Sequence, residues 1–296
     1  MGNKDNISIV VASDNHFAIL LGALIKSIEV NHKTAEKIDV YVLDDGISPK
    51  NKGRLNSMVD HQMITLYWID KNKIVPESVA LPIDNSIFPF TAYYRLFAPQ
   101  IIPEVIEKLI YIDVDMIVLE DISRLWHTDI NNALFAAVQD RSKVVSCDWA
   151  GIKNYKELGI PADTKYLNSG LLVIDTRKWR NENAASKVLE VINRNFEFIN
   201  FPDQYGLNVA FYDQWHQLDD NWNWPSILEN KNPYIIHFTG TKPIFKSYNF
   251  IPEFQKIFYD YLKLTPWKDH QPVSHFKLLY KKLRIKIKKK IIGIIN

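Results

Sequence analysis

YIDVDMIV, Tyr111 to Val118, is an apolar run interrupted by two carboxylates, Asp113 and Asp115. Its composition reads as a buried β-strand. Residues i and i+2 of a strand project to one face, about 7 Å apart. Burying an ionised carboxylate without a partner is costly, so such a strand keeps two aspartates where something neutralises them. A break in the pleat at the strand end would bring both to one cation or one diphosphate. Hard divalent cations bind such oxygens and bridge them to phosphates. The alternative is a strand-end pair that caps backbone amides or pairs with arginine.

Outward from this stretch, strands alternate with helices. Ile7 to Ser13 is a continuous apolar run, followed by Asp14-Asn15-His16 and then a helical period from Phe17 to Val30. Ile38 to Gly46 and Ile64 to Asp70 read as further strands, and Ala133 to Asp140 as another with an acid at its end. This alternation predicts an α/β fold with a mostly parallel central sheet. Ligands of such sheets bind beyond the carboxyl ends of the strands, where Asp14 falls.

Pro89 and Thr91 are expected to open a helix from Ala92 that carries Arg95 among aromatic neighbours. A buried arginine there needs an anionic partner. Tyr166 to Arg180 is expected to hold a strand preceded by Asn168-Ser169-Gly170 and followed by a basic turn. Asp203 and Gln204 stand at a helix start behind Pro202. Pro233 to Pro243 runs a strand into His237, with Gly240 permitting close backbone approach and Lys242 supplying charge.

Composition narrows the function. The 296 residues are 47% hydrophobic and 24% charged, ordinary for a soluble enzyme. The single cysteine, Cys147, rules out an internal disulfide and a cysteine metal cluster, and fits a reducing compartment. No leader pattern is seen at the start, and no apolar run approaches the ~20 residues of a membrane span. A cytoplasmic protein is expected. The net charge of +2 conceals an asymmetry. From Lys277 onward there are eight basic residues and no acid, which leaves 28 basic against 34 acidic before it. An acidic body makes nucleic acid an unsuitable partner.

Taken in order, IVVASD (9–14), VLDDGIS (42–48), TAYYRLF (91–97), YIDVDMIV (111–118), LNSGLLVID (167–175), FPDQYGLN (201–208) and HFTGTKP (237–243) resemble the retaining glycosyltransferases of family 8. That family includes bacterial lipooligosaccharide galactosyl- and glucosyltransferases and glycogenin. The resemblance runs from about Ile7 to about Phe245. It implies a GT-A nucleotide-sugar-binding fold, a UDP-sugar donor, a saccharide or lipid-linked acceptor, and Mn²⁺ or Mg²⁺ as the cofactor. Asp113, Asp115 and His237 match the family's metal ligands. Asp14 matches the acid that accepts from the uracil ring. Ala12, Arg95, Val114, Asn168, Ser169 and Gly240 fall in the donor-binding motifs, and Lys242 matches a lysine on the diphosphate. Asp203 and Gln204 match residues that hold the donor sugar, with Gln204 beside the anomeric carbon on the acceptor side, and are the candidate catalytic pair. Two positions depart from the pattern: His16 replaces a common Asn, and Ile244 replaces a usual Trp in a segment one residue shorter than the commonest form.

A sugar-phosphate nucleotidyltransferase also joins an α/β fold to metal-binding carboxylates, but it would want a Gly-rich loop after the first strand, which ASDNHF lacks. A UDP-sugar-binding protein with impaired catalysis is the other alternative. The expected layout is a catalytic domain over residues 1–265 and a basic tail over 266–296. In that tail Phe276, Leu279, Leu283, Ile287 and Ile291 recur at helical spacing among the basic residues. The pattern is that of a helix lying on an anionic membrane surface, at the inner face of the cytoplasmic membrane.

Overall fold

The computed structural model of the protein describes residues 3–79, 81 and 90–274. The strands are β1 (Ile7–Asp14), β2 (Ile38–Asp45), β3 (Ile64–Asp70), β4 (Lys108–Ile112), β5 (Met116–Val118), β6 (Phe135–Val144), β7 (Lys165–Asp175), β8 (His216–Gln217), β9 (Trp224–Pro225) and β10 (Ile235–His237). The helices are α1 (Ala18–Asn31), α2 (Pro49–Met58), α3 (Thr91–Ile101), α4 (Ile122–Trp126), α5 (Thr176–Asn181), α6 (Ala184–Arg194), α7 (Pro202–Ala210) and α8 (Pro252–Leu262).

Seven strands form the main sheet in the order β3-β2-β1-β4-β7-β6-β8. Every neighbouring pair is parallel except those of β7, which runs antiparallel to β4 and β6. The centre of the sheet is buried on both faces, which is why β1 reads as a continuous apolar run. On β1, Ile7, Ile9 and Val11 pack with Leu21 and Leu24 of α1, whereas Val10 and Ala12 belong to the opposite cluster with Leu96 and Phe97 of α3.

The YIDVDMIV stretch is not one strand. β4 ends at Ile112, Asp113 to Asp115 form a turn, and β5 enters a second, three-stranded sheet ordered β5-β10-β9. The aspartates therefore escape the cost of lying inside a buried strand, because they sit where the chain changes sheets. Asn168, Ser169 and Gly170 lie inside β7 rather than before it. There the pairing with β6 jumps from Ala137–Leu172 to Val138–Asn168, and the irregularity replaces the loop read from the sequence. The basic turn after β7 is the short helix α5, capped by Asp175, whose carboxylate accepts from the Lys178 amide at 2.9 Å. Thr91 is the first residue of α3 and makes no side-chain cap. Pro89 lies outside the described residues.

Beyond α8 the described residues, up to Ser274, stay on the body. Trp267 packs against both the α1–β1 core and the α8 cluster. Val273 donates to the Ile244 carbonyl at 2.9 Å and accepts from the Lys246 amide at 3.0 Å. The boundary expected after Thr265 falls within this packed segment. The amphipathic pattern of the tail, from Phe276 onward, lies outside the described residues. Among those residues no helix is long and apolar enough to cross a membrane.

Candidate active site

Two strand pairings assemble the centre. β4 and β7 pair Ile112 with Leu171, which sets Asp113 beside Gly170, and the Asp113 amide donates to the Gly170 carbonyl at 2.9 Å. β5 and β10 pair Met116 with His237, and the Phe238 amide donates to the Asp115 carbonyl at 2.9 Å. One ligand atom from each of Asp113, Asp115 and His237 lies within 4.8 Å of the other two. His237 Nε2 stands 3.5 Å from Asp115 Oδ1. Its Nδ1 stands 2.8 Å from the side-chain oxygen of Asn223. The Asn223 oxygen calls for a proton on Nδ1, which leaves Nε2 as the nitrogen turned toward the carboxylates.

Gly170 completes this cradle. A Cβ there would lie 2.6 Å from His237 Cε1 and 2.9 Å from Asp113 Oδ2. Two carboxylates, an imidazole held by a neighbouring amide, and a bare backbone beside them fit a divalent ion of the Mn²⁺ or Mg²⁺ kind, with coordination positions left for phosphate oxygens.

Positive charge surrounds the acids. Arg95 donates from Nη2 to Asp113 Oδ1 at 2.9 Å and from Nη1 to the Ser169 carbonyl at 2.5 Å, and its Nε lies 3.1 Å from Asp203 Oδ2. Its guanidinium also lies over the Tyr111 ring at 4.7 Å. Burial works to lower its pKa, but Asp113 and Asp203 outweigh burial and raise it. Lys242 bonds the free oxygen of Asp115 and the Phe238 carbonyl. Burial pushes the Asp115 carboxyl up, yet Lys242 and His237 overcome this and hold it well below the usual range. Asp113 goes the other way: burial raises it more than Arg95 lowers it. Tyr111, whose phenol burial keeps protonated, donates to Asp113 Oδ1 at 3.0 Å.

The remaining candidates lie alongside. Ser169 Oγ donates to Asp203 Oδ2 at 2.7 Å, and its amide donates to Gln204 Oε1 at 3.2 Å. Asn208 ties α7 to β7 by accepting from the Leu167 amide and donating to the Leu167 and Gln204 carbonyls. Asn168 donates to Asp140 at 2.8 Å and accepts from Gly170 and Asn223. Asp14 Oδ1 accepts from the amides of His16 and Phe17, at 2.8 and 2.9 Å, shaping the turn into α1. Its Oδ2 makes no hydrogen bond among the described residues. Gly240 adopts φ +77° and turns the chain between His237 and Lys242. The His16 ring lies near that of Phe245, with centroids 6.5 Å apart.

All thirteen residues singled out from the sequence, Ala12, Val114 and Gly240 included, line one cleft of about 780 Å³. Sequence reasoning missed Tyr111, Asn223, Gly170 and Asp140 as parts of the site. Asp140 had a signal, an acid at the end of β6. Asn223 had none, because it lies in a Trp-rich stretch that meets His237 through β9 and β10 alone.

The glycosyl transferase family 8 model matches residues 8–244. General stress protein A of Bacillus subtilis (strain 168) is 32% identical over 286 residues, covering 89% of this chain and 96% of that protein. Lipopolysaccharide 1,2-glucosyltransferase of Escherichia coli (strain K12) is 24% identical, covering 96% of this chain and 87% of its own. Among solved structures, the galactosyltransferase LgtC in complex with donor and acceptor sugar analogues superposes with a TM-score of 0.72 at 21% identity, over 88% of this chain and 96% of that one. The bifunctional glycosyltransferase WbbM gives 0.74 at 23%, over 92% and 52%. These likenesses identify the fold as GT-A. The cleft at the carboxyl ends of β1 and β4 is thus the candidate active site of a glycosyltransferase, and the chain belongs to glycosyltransferase family 8.

Proposed function

We propose that the protein is a retaining hexosyltransferase that moves galactose or glucose from a UDP-sugar to a saccharide or lipid-linked acceptor, with Mn²⁺ as its ion. The observation that carries this reading is the convergence of Asp113, Asp115 and His237 beside Arg95, Asp203 and Asn168 in one cleft. Asp113, Asp115 and His237 would hold the ion. When bound, it supplies positive charge to a departing diphosphate.

The protein's own groups account for the rest. The free oxygen of Asp14 accepts the uracil N–H, since a carboxylate only accepts. Lys242, at the end of the turn through Gly240, brings an ammonium to the side of Asp115 where the diphosphate charge develops. Asp203 and Asn168 take the sugar hydroxyls, with Asp203 oriented by Arg95 and Ser169. Gln204 presents an amide oxygen, a weakly basic group that already accepts from Ser169. Its role is to stabilise oxocarbenium charge by its dipole, which favours a front-side displacement over a covalent intermediate. The product keeps the donor's α configuration.

Supporting hexose transfer on a lipid-linked acceptor are the glucosyltransferase relative, named for lipopolysaccharide, and the basic tail. The reading places the enzyme in the cytoplasm, at the inner face of the membrane. The test is a panel of UDP-sugars with Mn²⁺, assayed by UDP release and by ligand-dependent melting. One UDP-hexose is expected to be turned over by the wild type and not by Asp115→Ala. Full activity in excess chelator, or a β-linked product, overturns the corresponding part.

A further inference from the structure

One part of the cleft wall has no part in the donor reading. It comprises Arg141, Trp149 and Ala150, next to Asp140, which Asn168 holds. Trp149 is 56% exposed. A single exposed aromatic is ordinary on a protein surface, but this one stands on a turn built to hold it. The Ile152 amide donates to the Val145 carbonyl and the Gly151 amide to the Cys147 carbonyl, both at 2.7 Å. Val145, Ala150 and Ile152 are buried and anchor the turn. A Cβ on Gly151 would lie 2.2 Å from the Val145 oxygen and 2.6 Å from that of Cys147, so only glycine closes it. The indole is thus held on the wall of the cleft.

Arg141 covers the ring, its guanidinium carbon 4.2 Å from the centroid. Among the described residues Arg141 makes no ion pair, and neither Arg141 nor the indole N–H makes a hydrogen bond. Neighbouring Asp140 does not pair with it. Asp140 Oδ1 accepts from the amide and hydroxyl of Ser142, at 2.9 and 2.8 Å, and Oδ2 accepts from Asn168. The pair therefore offers a flat apolar surface edged by unused N–H donors, beside Asp140, which Asn168 holds. A sugar ring has the matching chemistry: a C–H face that packs on an aromatic, rimmed by hydroxyls that accept from N–H groups. Holding both residues in place before binding removes part of the ordering cost.

We infer that Trp149 and Arg141 form the platform that receives the acceptor saccharide, its ring packed on the indole and its hydroxyls taken by the guanidinium. This rests on the donor reading of the same cleft, because an acceptor must reach the sugar end of the donor. The two residues are positioning groups and take no part in bond breaking.

The test uses the full chain with Mg²⁺, a diamagnetic ion, and UDP. Saturation-transfer NMR follows lactose, N-acetylglucosamine, methyl glucosides and methyl galactosides, and calorimetry follows UDP. At least one sugar is expected to receive saturation. Its affinity should fall by about tenfold or more in Trp149→Ala, as loss of a packed aromatic predicts. It should recover largely in Trp149→Phe and weaken in Arg141→Gln, with UDP affinity unchanged in all three. A wild type that binds UDP but none of these sugars, or a Trp149→Ala variant that binds as the wild type does, overturns the platform. A wild type that binds the sugars but not UDP overturns the donor reading instead.

Discussion

Asn223 Oδ1 lies 2.8 Å from His237 Nδ1, and the same side chain donates to Asn168 Oδ1 at 2.9 Å. One buried amide thus fixes the imidazole of the proposed ion site and the amide beside the proposed sugar site. Asn223→Ala frees the ring to rotate and removes the acceptor that keeps its proton on Nδ1. Loss of such an outer partner typically weakens metal affinity about 10–100-fold. Mn²⁺ titrated into the variant, followed by electron paramagnetic resonance, is expected to show a drop of that order with the circular dichroism spectrum unchanged. Wild-type Mn²⁺ affinity would remove the positioning role.

Gly170 tests the cradle from the opposite side. In Gly170→Ala the new methyl meets His237 and the Asp113 carboxylate, at 2.6 and 2.9 Å in the unrelaxed structure. Contacts under 3 Å force a shift, and the ends of those two side chains are what can move. The variant is therefore expected to spread the three ligands, to lose Mn²⁺ binding and Mn²⁺-dependent turnover, and to remain folded. A variant with wild-type ion affinity would show that the site has slack that this geometry lacks.

Arg95 links the two acids it touches, and its side chain is nearly inaccessible. Replacing it with Met leaves the buried Asp203 and the partly buried Asp113 beside each other without this cation. Removing one partner of a buried pair costs about 3–5 kcal/mol, and a drop of that size is expected in urea unfolding of the metal-free protein. Saturating Mn²⁺ should restore part of it, since an ion at Asp113 replaces part of the lost charge. Arg95→Lys keeps the charge but not the fork that reaches Asp113, Ser169 and Asp203 together, so it should be more stable than Arg95→Met while losing turnover. A metal-free Arg95→Met protein as stable as the wild type would mean that water compensates these acids.

The parallel half of the sheet was legible because β1 and β2 are buried on both faces and read as apolar runs, with β3 a half-buried edge strand. The paired aspartates stood out for the same physical reason, charge within an apolar stretch. Their geometry did not, because a period-two reading cannot show that the chain leaves one sheet at Ile112 and enters another at Met116. Asn168 to Gly170 looked like a loop because Asn, Ser and Gly favour turns, yet the irregular pairing with β6 accommodates them inside β7. Asn223 joins the site through tertiary contact alone, and nothing in its local sequence distinguishes it from a loop residue. Tyr111 joins it locally, two residues before Asp113 on the same face.

The basic tail is the part of the chain proposed to meet a membrane. Its eight Lys and Arg residues from Lys277 onward follow a body with an excess of acid. Each basic residue near an anionic surface contributes on the order of 1 kcal/mol, enough together to hold an acidic enzyme at a membrane carrying its acceptor. Where to cut decides whether the experiment is clean. Val273 bridges the backbone of Ile244 and Lys246, just after the turn that carries Lys242. Trp267 packs against the core around α1. A truncation after Thr265 would strip both contacts and confuse loss of membrane binding with loosening of the proposed site. Deleting 275–296 spares them. That shorter deletion is expected to leave UDP-sugar hydrolysis near normal and to abolish sedimentation with vesicles containing anionic lipid. Full-length protein should sediment at low ionic strength and release as salt rises, because screening shortens the reach of the charges. A full-length protein that ignores anionic vesicles at low salt ends the membrane reading, while a 275–296 deletion that loses hydrolysis places the tail in the catalytic body instead.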